Sequence, residues 1–395
     1  MHLLTLFRDM TENPQYLTEQ LITYIGNKRS LLPFIKQGIE FVQKDLNKDF
    51  LHCFDVFSGS GIVSRFLKSF AASVTTNDLE TYARIISSCY LANKSSVNLD
   101  ELKNIHEQLL QSTEAELNSL EKNKECPGFI SELYAPQDED NVQFGERCFY
   151  TPYNAKYIDI IRQKIMSDVP SEFQNYFIAP LLSEVSVHAN TAGIFKGFYK
   201  NSKTGKGQFG GNGKNALERI KGKISLPFPI LSNFECPFYV FQEDANELVL
   251  NEELYQHLPE NEFDLAYIDP PYNQHPYGSN YFMLNLIANY EKPDCEKISR
   301  VSGIPKNWNR SSFNKKRIAA DSFTKLVSSL KAKYLMVSFN SEGYISKDEM
   351  ISILEKVGKV TVLDVPYNAF KGSRNLKNRD IYVSEYLFIV KKYTH

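Results

Sequence analysis

The sequence predicts an α/β protein: a doubly wound, largely parallel sheet interrupted by a long, mainly helical insert. Three observations carry that prediction. A short apolar strand beginning at Leu51 runs through Gly59-Ser60-Gly61 into a helical pattern, the opening unit expected of such a sheet. The α/β rhythm is lost from 96 to 235 and resumes at Cys236. A further apolar strand, 263–268, ends on Asp269-Pro270-Pro271-Tyr272.

With 395 residues, 42% of them hydrophobic, the chain can bury a large core, and about two to three domains are expected. The net charge of −2 excludes a polycation, so contact with nucleic acid must come from local patches. The six cysteines (Cys53, Cys89, Cys126, Cys148, Cys236, Cys295) form no C-x-x-C pair. That argues against a structural metal site or a disulfide framework and fits a reducing cytoplasm. The apolar start, 1–7, is too short for a signal-peptide core, and no run of about 18 apolar residues occurs, so a membrane role is not expected.

Taken in order, Tyr24-Ile25-Gly26-Asn27-Lys28 is a turn before a helix whose apolar positions are 31, 32, 35, 39 and 42, with Pro33 in the first turn. Lys28 and Arg29 at that helix start are candidates to meet a ligand carboxylate. In the next unit Asp55 sits at the strand tip, and Gly59 and Gly61 allow close approach of a nucleoside. Ile62, Val63, Phe66, Leu67 and Phe70 form the inner face of the following helix. A second strand, 72–76, ends in Asn77-Asp78, an acid suited to ribose hydroxyls.

The insert begins with Asn98 as an N-cap and Glu101 three residues on, opening an amphipathic helix closed near Cys126-Pro127-Gly128. Twelve acids against three lysines over 100–146 read as a solvated face. A second helix is expected over 154–166. The sign then reverses: 196–223 holds seven lysines and Arg219 against the single acid Glu218, with Phe195, Phe198, Tyr199 and Phe209 interleaved. Such a glycine-rich segment looks unsuited to a core and suited to a phosphate backbone, with Lys196, Lys200, Lys203, Lys206 and Lys214 as contacts. Asn190, Thr191, Lys196 and Lys200 are candidate base readers. Two further acid-free basic stretches follow, 297–317 with Arg310 and Lys315 around Trp308 and Phe313, and 365–379 with Arg374 beside Tyr367 and Phe370. The three together predict one charged face. Strands are expected over 236–245, with the acid Asp244 at its end, at 263–268, at 334–339, and as an antiparallel pair, 359–365 and 381–391.

The tetrapeptide has its own chemistry. Two prolines with fixed φ and no N–H stop the strand, so Asp269 and the Pro270 carbonyl stand as two acceptors side by side. Two acceptors suit one NH₂ group. Tyr272 adds a flat face for stacking. The plainer alternative is a strand end closed by a proline turn.

As a set, these residues resemble the S-adenosylmethionine-dependent DNA adenine-N6 methyltransferases of the Dam-type, alpha-ordered group. The matching pieces are Tyr24 to Lys28, Asp55-Val56-Phe57-Ser58-Gly59-Ser60-Gly61, Asp78 and Asp269-Pro270-Pro271-Tyr272, in that group's order. The resemblance implies a Rossmann-like class I methyltransferase domain, 1–95 and 236–395, whose seven-stranded mixed sheet ends in an antiparallel hairpin. A target recognition domain would occupy 96–235. It implies S-adenosylmethionine held by Tyr24, Lys28, Asp55, Phe57, Ser58, Gly59, Gly61, Asp78 and Asp244, with no metal. Asp269, Pro270, Pro271 and Tyr272 would act on an adenine flipped from double-stranded DNA. Tyr367 or Phe370 would add a second aromatic wall beside Tyr272, and a cognate restriction endonuclease is the implied partner.

Other readings remain at this point. Gly59-x-Gly61-x-x-Ser64 nearly fits a dinucleotide-binding pattern, which would make the protein a nicotinamide-dependent oxidoreductase, but Ser64 replaces the third glycine. Methylation of RNA adenine, cytosine N4 or a protein amide, and a catalytically silent DNA-binding module, are the others.

Overall fold

The computed structural model describes residues 11–120, 126–272, 274–341, 343–368 and 382–393. Seven strands form one sheet: β1 Leu51–Asp55, β2 Ala71–Asn77, β3 Phe238–Phe241, β4 Phe263–Ile268, β5 Ala332–Asn340, β6 Gly358–Asn368 and β7 Tyr382–Lys392. Their order is β3-β2-β1-β4-β5-β7-β6. The first five run parallel, and β7 is antiparallel to both β5 and β6. Strand order reverses at β1, between β2 and β4, where ligands bind in open α/β sheets.

Both sheet faces are covered, which explains the near-continuous apolar strands. On one face, α1 (Leu32–Leu46) and α2 (Ile62–Leu67) pack through Ile35, Ile39, Val63 and Leu67 onto Cys53, Leu265, Met336 and Leu387. Gly38 lets α1 sit close, since a Cβ there would lie 2.5 Å from Met336 Sδ. On the other face, residues such as Phe323, Leu326 and Met350, from helices Ala319–Ser329 and Lys347–Leu354, cover Phe54, Ala266, Leu335 and Val337.

A third cluster is helical. It joins α3 (Thr81–Tyr90), α4 (Leu99–Leu120), α5 (Pro152–Asp168), α6 (Ser171–Val187) and α7 (Phe282–Asn289). The Asn98 cap is as expected: its Oδ1 accepts from the Glu101 amide at 3.2 Å, while its Nδ2 donates to Glu101 Oε2 at 3.0 Å. α6 shows no helical period in the sequence, because 176–182 is a continuous apolar run that carries Pro180. That run is buried against neighbours that include α3, α5 and α7, while Ser171 and Glu172 at the helix start are exposed, so no apolar stripe along its length reveals a period.

Two expectations for the insert are corrected. The lysine-rich stretch does build a core: Phe209 and Ile220 are buried around Cys148, and Phe195 is buried in the helical cluster. Composition averaged over the stretch hid the apolar residues that anchor it. Asn190 and Thr191 are buried rather than presented to a groove. Among the described residues, no helix is long and apolar enough to cross a membrane.

Candidate active site

The carboxyl ends of four parallel strands bring their acids to one cleft of about 910 Å³, which includes its open mouth. Asp55 (β1), Asp78 (β2), Asp244 (after β3) and Asp269 (β4) all line it, together with Tyr24, Lys28, Phe57, Ser58, Gly59 and Tyr272. Nearly every residue in the sequence-derived cofactor set therefore converges with the tetrapeptide. Gly61 does not line the cleft; it stands at the start of α2 with φ +74°.

Local chemistry explains the arrangement. Asp78 receives the amides of Gly59 at 2.8 Å and Glu80 at 2.9 Å, so it shapes the glycine turn as well as facing the cleft. Gly59 adopts φ +50°, and a Cβ there would come within 2.9 Å of the Tyr24 ring. Only glycine fits. Tyr24 in turn stacks on Tyr281 and Tyr277, with ring centroids 4.8 and 5.0 Å away. Asp244 caps the helix Ala245–Leu248 by accepting from the Asn246 amide at 2.9 Å, and lines the cleft at the same time.

Burial dominates the electrostatics. It pushes Asp55 up to about 7 against a 2.6 Å hydrogen bond from Ser64 Oγ. It likewise raises Asp78 to about 6, Glu80 to about 7 and Asp269 to about 6. For Asp269, the Lys28 ammonium opposes the rise and Glu385 adds to it. Lys28 Nζ lies 3.4 Å from Asp269 Oδ1 and 2.5 Å from Glu385 Oε1. The lysine read as a cofactor ligand is thus engaged with the tetrapeptide carboxylate. Arg29 instead points to the Thr18 carbonyl at 3.1 Å.

Several lining residues had no place in the sequence reading. Asn309 Nδ2 donates to the Leu79 carbonyl at 3.0 Å and to Glu80 Oε2 at 3.2 Å. Phe313 meets Phe57 edge-on at 5.2 Å, and Ser311 and Asn314 complete that wall. The stretch read purely as a basic patch therefore also closes one side of the cleft. The signal lay in the polar and aromatic residues between its charges. Glu385 was detectable as the one acid in the apolar run of β7.

Of the DNA-contact candidates, Lys196 Nζ lies 3.3 Å from Nδ1 of His275, which follows the tetrapeptide in the chain, and Lys200 lies over the Phe198 ring at 5.2 Å. Arg310 stacks on Trp308 at 4.1 Å. Lys203, Lys214 and Lys315 are exposed. Lys206 and Lys214 line a shallow hollow with Glu139 and Asp140. Phe370 and Arg374 lie outside the described residues, as does the side chain of Tyr367.

The sequence matches the family described as D12 class N6 adenine-specific DNA methyltransferase over residues 24–353. The chain belongs to that family. It is 31% identical over 372 residues to the type II methyltransferase M.CviAII of Paramecium bursaria Chlorella virus 1, covering 93% of this chain and 98% of the viral protein. Type II methyltransferase M.NlaIII of Neisseria lactamica is 29% identical over 378 residues, covering 94% and 99% of the two chains. Modification methylase StsI of Streptococcus sanguinis is 28% identical over 379 residues, 93% of this chain and 52% of that longer protein. The enzyme is accordingly an adenine-specific DNA methyltransferase that uses a methyl donor. Membership sets aside the dehydrogenase reading of the glycine turn and the other amino substrates.

Proposed function

We propose that the cleft binds S-adenosylmethionine and that Asp269 and Pro270 hold the amino group of an adenine flipped from duplex DNA. The observation that carries this is Asp269 Oδ1: buried, without a hydrogen-bond partner among the described residues, and in the same cleft as Asp55 and Asp78. The donor fits that cleft. Asp55 Oδ1 is also buried and has no hydrogen-bond partner among the described residues, and a pocket rich in acids suits a cationic nucleoside. Tyr24, Lys28, Asp55, Phe57, Ser58, Gly59, Asp78 and Asp244 are the residues assigned to it, with Gly61 shaping the turn that presents them. When bound, it supplies an electrophilic methyl group.

The protein's own part is positioning and electrostatics. The adenine amino lone pair is conjugated with the ring. Asp269 and the Pro270 carbonyl each accept one amino hydrogen, which favours a more tetrahedral, nucleophilic nitrogen. Pro271 stiffens the ledge, and Tyr272 stacks on the base. Flipping costs a few kcal/mol and one aromatic contact returns about 1–3 kcal/mol, so a second wall is assigned to Tyr367 or Phe370. The DNA path is assigned to Lys196, Lys200, Lys203, Lys206, Lys214, Arg310, Lys315 and Arg374.

The order of motifs supports the Dam-type, alpha-ordered group, with 96–235 as an inserted recognition domain. Relatives named type II methyltransferases and modification methylases support a role as the modification enzyme of a restriction–modification system, paired with a cognate endonuclease and acting in the cytoplasm. Asp269→Ala tests the central assignment. Donor binding by calorimetry is expected to persist while methyl transfer falls by about three orders of magnitude or more. Near-normal turnover would overturn it.

A further inference from the structure

The ion cluster behind Asp269 holds one more charge than a simple pair needs. Lys28 lies just before α1, Asp269 at the end of β4 and Glu385 in β7, and their side chains are 5%, 19% and 3% exposed. Taking a further ionised carboxylate out of water costs several kcal/mol, and a Lys28–Asp269 pair would already be neutral. Adding Glu385 makes the cluster net negative.

The geometry shows which carboxylate takes the cation. Lys28 Nζ donates to Glu385 Oε1 at 2.5 Å, and Ser338 Oγ on β5 donates to the same oxygen at 2.8 Å. Asp269 Oδ1 stands farther off, at 3.4 Å, and has no hydrogen-bond partner among the described residues. The ammonium therefore belongs chiefly to Glu385. Were Glu385 only a counterion for Lys28, it would duplicate Asp269.

We infer that Glu385 is a positioning residue for methyl transfer: it draws the Lys28 ammonium onto its own carboxylate, leaving Asp269 with the excess negative charge and an acceptor atom that makes no hydrogen bond among the described residues, open to the adenine amine. The inference rests on the reading of Asp269 as the amine acceptor. The other titratable groups around Asp269 are Tyr267, Tyr272, Tyr277 and Asp55. Burial raises all three phenols, Tyr272 to about 12, so they stay neutral through the range tested, and it raises Asp55 to about 7, so that carboxyl is mostly protonated where Asp269 ionises. Lys28 and Glu385 are thus the groups whose removal shifts the balance.

The test is single-turnover methylation of DNA from a methylation-free host by the full chain, with radiolabelled S-adenosylmethionine, across pH 5–8. In wild type the rate rises as Asp269 ionises, around pH 6. In Glu385→Gln the ammonium turns to Asp269. The acid limb then moves down by about one pH unit, and the plateau falls roughly threefold to tenfold as the acceptor weakens. Saturating donor keeps any change in its affinity out of the measured rate. Lys28→Met moves the limb the opposite way, because two carboxylates then face each other unshielded. A Glu385→Gln enzyme with the wild-type limb and plateau overturns the inference, as do limbs displaced in the same direction by both substitutions. Should Glu385→Gln not fold, the comparison runs between Lys28→Met and Lys28→Met/Glu385→Gln, where no buried lysine is left unpaired. The double variant's limb lies below the single's if Glu385 acts on Asp269, and coincident limbs refute it. Turnover by Asp269→Ala sinks the underlying reading; a dead Asp269→Ala beside an unmoved Glu385→Gln sinks the inference alone.

Discussion

Asn190 is fully buried, and its whole amide is engaged inside the fold. Its Nδ2 donates to the Cys148 carbonyl at 2.8 Å and the Gln208 carbonyl at 3.3 Å, and its Oδ1 accepts from the Gly210 amide at 3.0 Å. Each buried group left unpaired costs about 1–3 kcal/mol. Asn190→Ala should therefore lose roughly 2–4 kcal/mol in denaturant unfolding while methylating the same sequence context, as read by modified-base sequencing. A base reader would show the reverse: near-native stability and altered context. In the sequence Asn190 looked like a base reader because a polar residue beside a basic stretch carries no mark of burial. Glu385 poses the complementary problem. One acid within an apolar strand signals a buried partner, yet Lys28 lies more than three hundred residues earlier and nothing local links the two.

At the scale of elements, the strand ends concentrate acids where solvation is poorest. Asp55, Asp78, Glu80 and Asp269 are raised by burial to between about 6 and 7. A carboxyl whose folded value exceeds its unfolded one adds stability at low pH and loses it as pH climbs through the folded value. Across pH 4 to 7 the folded state binds more protons, so the ligand-free enzyme should melt several degrees lower at pH 8 than at pH 5 by scanning calorimetry. A melting temperature that rises from pH 5 to 8 contradicts the burial of these acids. S-adenosylmethionine, a cation, should shrink the difference. These elements were legible because parallel strands buried on both faces must be apolar and their ligand acids must stand at the carboxyl ends. α6 was not legible: its buried, continuous apolar run, 176–182, removes the periodicity on which helix recognition depends.

For the whole molecule, the proposed DNA surface follows from where the basic stretches come to lie. Lys196 sits by His275, which follows the tetrapeptide in the chain, whereas Lys206 and Lys214 share their hollow with Glu139 and Asp140. Replacing Lys196 and Lys200 by alanine should weaken DNA binding and lower the slope of log affinity against log salt by about one for each phosphate no longer neutralised. The Lys206/Lys214 pair should matter less, because nearby acids already offset its charge. Equal weakening in the two variants would contradict that division.

The sequence by itself determined the parallel sheet, the glycine turn, the strand-end acids and the Asp-Pro-Pro-Tyr ledge. Each follows from local rules: period, turn chemistry and the stop imposed by proline. Only the tertiary structure decided that Lys28 is shared between Asp269 and Glu385, that 309–314 walls the cleft, and that the lysine-rich stretch buries its own small core. Those facts depend on contacts between segments far apart in the chain, which are set by packing and by the cost of leaving charge unpaired away from water.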